Sequence, residues 1–176
     1  MKRVIFFVSV ISLHTVAGPS GFSWLLQTSP QNSGEFAHDT RALKILSQIV
    51  PKFKIKKNAA PDLAGIIRLD LRLPDDKRVV DGRYIIFTGA RPHDASTHAL
   101  LWIDTKTGAG AFAINECVGD FSEKQCITVG SKSFEADNLP DQFIAELKNW
   151  RKKELTYLVL QYVNPKSQFS KFELSN

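Results

Sequence analysis

The sequence lacks most of the motifs that enzymes and cofactor-binding proteins require. Its 176 residues include only two cysteines and four histidines. It has no glycine-rich phosphate-binding loop and no Gly-x-Ser-x-Gly element that would present a nucleophilic serine. The Lys-Thr-Gly triplet at residues 106–108 has no Ser-x-x-Lys partner, so it is better interpreted as a turn. We therefore expect no enzymatic activity and no cofactor.

Long apolar runs are also scarce, and the one near the start has the form of an export signal. Lys2 and Arg3 precede an apolar stretch at residues 4–13, which is too short to span a bilayer. Residues 1–18 are therefore expected to be a signal peptide, cleaved near Ala17 or Gly18. A membrane anchor that stays attached is the alternative. No later stretch is apolar enough to cross a membrane, so no stable span is expected after signal removal.

The two cysteines, Cys117 and Cys126, flank a polar turn at residues 119–122. A disulfide across so short a loop is geometrically plausible in an oxidising compartment. A redox pair and a metal site are the alternatives, but the spacing matches neither Cys-x-x-Cys chemistry nor zinc ligation. A structural disulfide is the prediction.

The charge of the chain is mildly basic. The net charge is +5, and removal of Lys2 and Arg3 with the signal would leave 21 basic against 18 acidic residues. Basic residues cluster at positions 52–57 and 151–153. Because no nucleic-acid-binding motif accompanies them, we expect no nucleic-acid partner. A solvated face or attraction to an acidic cell envelope accounts for the clusters.

The remaining pattern predicts an α+β fold. Residues 19–35 are rich in turn-forming residues and are predicted to be a flexible lead whose apolar side chains can dock on the body. Helices are predicted at residues 37–50 and 139–154. Residues 67–73 alternate apolar and charged side chains and predict a strand with Ile67, Leu69, Leu71 and Leu73 inward. Further strands are predicted at residues 84–87, 98–103, 109–114, 125–129 and 155–163, with turns at 81–82 and 104–108 and a loose polar tail after Pro165.

The short connections favour one domain over residues 36–176. We expect a mainly antiparallel sheet of five to seven strands with two helices packed against one face.

A polar loop between the strands at 84–87 and 98–103 is the candidate functional site. Pro92 restricts the loop, Arg91 offers a fork suited to carboxylate oxygens, and His93 offers N–H donors at neutral or mildly acidic pH. Such a rigid tip suits an acid-lined cleft, for example that of a glycosidase. The alternative is a turn that only covers the end of the sheet. The predicted site residues are Ala90, Arg91, Pro92, His93, Asp94 and Ala95.

Catalytic and metal-binding interpretations of the same loop are weaker. Ser96, His93 and Asp94 are too close in sequence to reach the geometry of a catalytic triad readily. His93, Asp94 and His98 lack a further metal ligand. No metal site is therefore expected.

Residues 81–95, Asp-Gly-Arg-Tyr-Ile-Ile-Phe-Thr-Gly-Ala-Arg-Pro-His-Asp-Ala, resemble the inhibitor of vertebrate lysozyme family, called Ivy. That family carries Cys-Lys-Pro-His-Asp-Cys on a β-strand, after a tyrosine at the distance of Tyr84. The likeness continues through residues 98–102 to Gly108 and Phe112. It covers about a fifth of the chain. The chain departs from the family at Ala90 and Ala95, which stand where the family has its bridging cysteines.

The resemblance implies an exported, periplasmic bacterial protein that acts without catalysis. Its loop would plug the cleft of a c-type lysozyme or another muramidase and so protect peptidoglycan. His93 would hydrogen-bond the catalytic carboxylates of the target, with Arg91 and Asp94 supporting it at the rim. An immunity protein against a secreted cell-wall-degrading toxin and a non-inhibitory structural domain of the envelope are the alternatives. Homo-oligomerisation is left open.

Overall fold

The computed structural model describes residues 21–53, 62–75, 77–118, 126–153 and 159–174. The predicted signal peptide, the polar turn at 119–122 and residues 155–158 of a predicted strand lie outside these ranges. Most of the basic cluster at 52–57 lies outside them as well.

The described residues form an α+β structure, as expected, but with more elements than predicted. Four helices and eight strands are present in this part of the chain, with short 3-10 turns at Ser23–Leu26 and Ala136–Asn138. The helices are α1 (Ser33–His38), α2 (Ala42–Ile49), α3 (Leu63–Asp70) and α4 (Asp141–Lys153). The strands are β1 (Leu73–Pro74), β2 (Arg78–Val80), β3 (Tyr84–Arg91), β4 (Asp94–Asp104), β5 (Gly110–Ile114), β6 (Cys126–Gly130), β7 (Val159–Val163) and β8 (Phe169–Lys171).

The strands form a mainly antiparallel sheet, which confirms the expected topology. Its order is β1-β3-β4-β5-β6-β7-β8, and β2 also pairs with β3. Only β6 and β7 are parallel among the described strands, because α4 connects them as a crossover. The predicted turn at 104–108 joins β4 to β5, with Gly108 at φ +75°. The C-terminal tail, predicted to be loose, instead contributes β8, which pairs with β7.

The sheet is covered on both faces, and not on one as predicted. Alternate residues of the central strands enter two separate clusters, so that Ile85 and Phe87 face one side while Ile86 faces the other. The first side carries α1, α2 and α3, and the second carries α4. Strands buried on both faces lose the polar alternation that marks a solvent-facing sheet, which is why residues 84–87, 99–103 and 110–114 of β3 to β5 are continuous apolar runs.

The strand predicted at residues 67–73 is wrong, because residues 63–70 form helix α3. The Asp62 carboxylate caps this helix by accepting the backbone N–H of Gly65 at 2.8 Å. Helical spacing then buries Leu63 and Ile67, while Leu73, predicted to point inward, is 43% exposed. The seven residues alone match the period of a strand, but Leu63 and Ile66 add a helical stripe before them, and the cap together with tertiary burial favours the helix.

The helix predicted at residues 37–50 is divided into α1 and α2. Asp39 adopts an extended conformation and its carboxylate accepts the backbone N–H of Arg41 at 2.7 Å, which ends α1 and starts α2 after a turn. Residues 21–35, part of the predicted flexible lead, contain the start of α1 and the buried side chains of Phe22 and Leu25. The helix predicted at 139–154 corresponds to α4.

Candidate functional site

The predicted loop lies at the end of the β3–β4 hairpin, where Pro92 and His93 form a two-residue turn. Arg91 pairs with Asp94 across this turn. His93 has φ +64°, and a turn with proline first and a positive φ second has the form of a type II turn. The His93 side chain is exposed at the tip, whereas Pro92 and Arg91 are half-buried. The imidazole is therefore presented to solvent.

The backbone of His93 is strained. Left-handed backbone costs a residue with a Cβ atom about 1 kcal/mol or more, and glycine would adopt it without that cost. Strained residues of this kind are concentrated at functional sites because the surrounding structure has to hold them. Among the described residues, Asp81 and Ser167 have the same left-handed backbone, so the strain at His93 belongs to its turn and is not unique to it.

The Asp94 carboxylate organises the strand that leaves the tip. It accepts the Ser96 backbone N–H at 3.2 Å, the Ser96 hydroxyl at 2.6 Å and the Thr97 hydroxyl at 2.7 Å. These bonds, led by the Ser96 hydroxyl, hold the pKa of Asp94 below its usual value. Residues 95–97 form a bulge, since Arg91 pairs with Asp94 while Ala90 already pairs with His98. Asp94 therefore shapes the bulge as an ionised group.

Arg91 is turned inward to two carboxylates of its own chain. Its Nε and Nη2 atoms donate to Asp70 Oδ1 at 2.8 and 2.7 Å, and Nη2 also lies 2.8 Å from Glu116 Oε1. Asp70 ends α3, and Glu116 follows β5. We call Asp70, Arg91 and Glu116 the hairpin clamp. It fastens the base of the tip to a helix and to the segment after β5.

The hairpin clamp contains two acidic groups and one basic group. The Asp70 side chain is completely buried, and that of Glu116 is 19% exposed. Burial raises the pKa of Asp70 to about 7; Arg91 opposes this rise, and Glu116 and Asp94 add to it. Burial also raises the pKa of Glu116. For Arg91, burial lowers the pKa, but the two carboxylates outweigh it and hold the pKa above the usual value.

The predicted disulfide is confirmed, and it lies beside the hairpin clamp. Cys117, the residue after Glu116, is bonded to Cys126 at the start of β6, with a Cα–Cα distance of 5.4 Å. The same segment contacts the hairpin directly, because Asn115 Nδ2 donates to the Ser96 carbonyl at 2.9 Å. The bridge therefore ties the segment that carries Glu116 to the sheet.

The other end of the hairpin is closed by a second ion pair. Arg83 Nε and Nη2 donate to the two carboxylate oxygens of Asp104 at 2.8 and 2.6 Å. An open groove of about 540 Å³ adjoins this pair, and its lining includes Tyr84, Trp102 and Phe134. Arginine–aspartate pairs therefore fasten both ends of the hairpin, which leaves the short tip as the part that projects from a fixed base.

The geometry does not assemble the catalytic triad considered for this loop. The Ser96 hydroxyl donates to Asp94, so it is directed to the carboxylate and not to the imidazole. Among the described residues, no group of three or more histidine, cysteine, aspartate or glutamate side chains is placed to hold a metal ion.

Sequence reasoning missed Asp70 and Glu116. The alternating pattern predicts Asp70 on the face of a strand opposite Ile67 and Leu69, and α3 instead buries it. Glu116 carries no local signal of its own. A buried arginine needs an acidic partner, but its partners here lie 21 and 25 positions away, so no local pattern would have identified them.

The comparisons with known proteins give no relative. No protein family, no curated protein and no solved structure matches the chain. Within the described residues, none of the helices has the length and apolar character needed to cross a membrane.

Proposed function

We propose that the chain is a periplasmic, Ivy-like inhibitor of a peptidoglycan-cleaving glycosidase, and that the tip at Pro92 and His93 enters the active-site cleft of its target. The observation that carries the proposal is the exposed imidazole of His93, held in a strained turn on an anchored hairpin. Glycosidase clefts contain a carboxylate pair about 5–9 Å apart, to which an imidazole N–H can donate. The likeness of residues 81–95 to the Ivy family supports the same target class.

The hairpin clamp supports the proposal in a second way. The Ivy family bridges its loop with two cysteines, and alanines occupy those positions in this chain. A mobile loop loses affinity because its ordering on binding costs about 0.5–1.5 kcal/mol per immobilised side chain. Arg91 and Asp94 restrain the two sides of the tip by ion pairs and hydrogen bonds. The restraint that a disulfide would provide is thus supplied by other contacts.

Titration of the protein into a lysozyme turbidity assay tests the function. We expect inhibition by the parent, and inhibition at least about tenfold weaker with His93→Ala, because truncation of a central interface residue typically costs about 2 kcal/mol or more. His38→Ala is the matched control: it removes another exposed imidazole, on α1 and outside the hairpin, and inhibition should be unchanged.

A second variant separates the role of the imidazole from the stability of the turn. His93→Gly relieves the positive φ, so the fold should be at least as stable as the parent, while inhibition should again be at least about tenfold weaker. Full inhibition by either His93 variant would show that the tip does not act through its imidazole. A parent protein that inhibits no enzyme in a panel of muramidases would refute the function itself.

A further inference from the structure

The hairpin clamp has a charge imbalance beneath the proposed binding tip. We propose that Asp70 and Glu116 hold one shared proton at neutral and mildly acidic pH, and that its release as the pH rises loosens the β3–β4 hairpin. The inference concerns the order of the hairpin itself. Only its consequence for inhibition, tighter binding at mildly acidic pH, rests on the proposed function.

The geometry requires charge neutralisation at this site. Two carboxyl groups share a single guanidinium, so full ionisation would leave one uncompensated negative charge in a place where Asp70 has no exposure. Burying an unpaired charge is strongly unfavourable, and a proton on one carboxyl group removes it.

The unpartnered oxygens of the clamp support the same conclusion. Asp70 Oδ2 and Glu116 Oε2 are both buried without a hydrogen-bond partner among the described residues. An ionised carboxylate accepts hydrogen bonds on both oxygens, so a buried oxygen without a donor disfavours the charged form. A protonated carboxyl group carries hydrogen on one oxygen and has no charge to stabilise. Each carboxyl group in the clamp therefore has one oxygen available for the proton.

The charges that surround Asp70 favour the protonated form. Arg91 from β3 is the positive group that acts on it, and Glu116 and Asp94 are the negative ones. Arg68, on the same helix as Asp70, is directed to the Ala37 carbonyl, to which its Nε donates at 2.6 Å, and it is not among the charges that act on Asp70. Glu116 and Asp94 therefore add to the effect of burial, which favours the protonated form of Asp70, and only Arg91 opposes it.

The direction of the pH dependence follows from the raised pKa of Asp70, about 7, against about 3.9 in an unfolded chain. Between these values the folded hairpin binds more protons than the opened one. The stabilisation is therefore complete below about pH 4 and is lost as the pH rises through about 7. Over this window, one proton changes the opening equilibrium by up to about tenfold per pH unit.

Hydrogen exchange of the backbone amides in β3 and β4, measured between pH 5 and pH 8 and corrected for intrinsic exchange, tests the proposal. In the parent, the opening constant should rise by up to about tenfold per unit between pH 5 and pH 7. Asp70→Asn removes the titrating group and should abolish this slope, while at pH 8 the hairpin is at least as well protected as in the parent. Glu116→Gln, at a partly exposed position, should reduce the slope and serves if the first variant does not fold.

His93→Ala is the control for the imidazole at the tip, and the slope of this variant should equal that of the parent. A parent without a slope in this window, or a slope that persists in both Asp70→Asn and Glu116→Gln, would overturn the proposal. No partner enzyme enters these measurements. A protein that shows the slope but inhibits no muramidase would refute the proposed function and leave the shared proton standing.

Discussion

Replacement of Arg91 by methionine tests how strongly the clamp holds the hairpin. Methionine keeps most of the length and apolar character of the arginine stem but removes the guanidinium, so the bonds to Asp70 and Glu116 are lost. Removal of one partner of a buried ion pair typically costs about 3–5 kcal/mol, because the remaining charge stays buried and unpaired. The value expected here is about 3 kcal/mol, since Glu116 is partly exposed and Asp70 readily takes up a proton.

The assay is urea unfolding at pH 7. We expect the variant to have a lower unfolding midpoint and the same m-value as the parent, which together report a loss of stability. Arg41→Met is the matched control. Arg41 bonds Asp39 at 2.6–2.9 Å, distances like those of the clamp, but the Arg41 side chain is 54% exposed. Water screens an exposed pair of this kind, so the same substitution should lower the midpoint much less than Arg91→Met does, even though it also removes the contact of Arg41 with the Trp24 ring.

A double substitution shows whether the stranded charge causes the loss. Asp70→Asn in the Arg91→Met background removes a carboxylate that has lost its partner, so part of the stability should return. If Arg91→Met costs no more than Arg41→Met, burial does not strengthen this pair. The account of the hairpin as clamped at its base would then be wrong.

Two further experiments test other parts of the structure. Gly89→Ala would place a Cβ atom 2.9 Å from the Leu71 Cα, a backbone atom that cannot easily move, so the melting temperature should fall by an amount corresponding to about 2–3 kcal/mol. Gly21→Ala, where the added atom meets nothing within 4 Å, should change stability by less than about 0.5 kcal/mol, and equal effects at both glycines would contradict the close approach. Replacement of Cys117 and Cys126 by serine opens a loop with a sequence separation of nine and should lower the free energy of unfolding by about 2–3 kcal/mol in urea titrations. Unchanged titrations would show that the bridge does not stabilise the fold.

The central hairpins were predictable because their turns contain residues that favour turn conformations. The turn at residues 81–82 has positive φ at both Asp81 and Gly82, the conformation that an Asp-Gly pair favours. Gly108 likewise supplies the positive φ of the β4–β5 connection. α4 was predictable from its apolar stripe after Pro140. The disulfide was predictable because the chain has only two cysteines, so each had one possible partner within the chain. In each case the residues that specify the feature are close in sequence.

The errors occurred where a local pattern allowed two structures. Residues 67–73 alternate like a strand, but Leu63 and Ile66 extend an equally good helical stripe that is visible only if the window starts earlier. The cap at Asp62 ends the ambiguity in favour of α3. The covering of the sheet on both faces was missed for a related reason, since the side on which a helix packs depends on the path of its connections and not on its own pattern.

The sequence by itself determined the antiparallel hairpins, the disulfide pair and a polar tip with His93 at its end, because turn chemistry and apolar periodicity act over a few residues. Only the tertiary structure decided that Arg91 faces inward and that Asp70 is buried beneath the tip. Those two residues come from different elements, and their ion pair forms only after α3 has packed against the hairpin. Burial then turns an ordinary aspartate into a group that titrates near neutral pH.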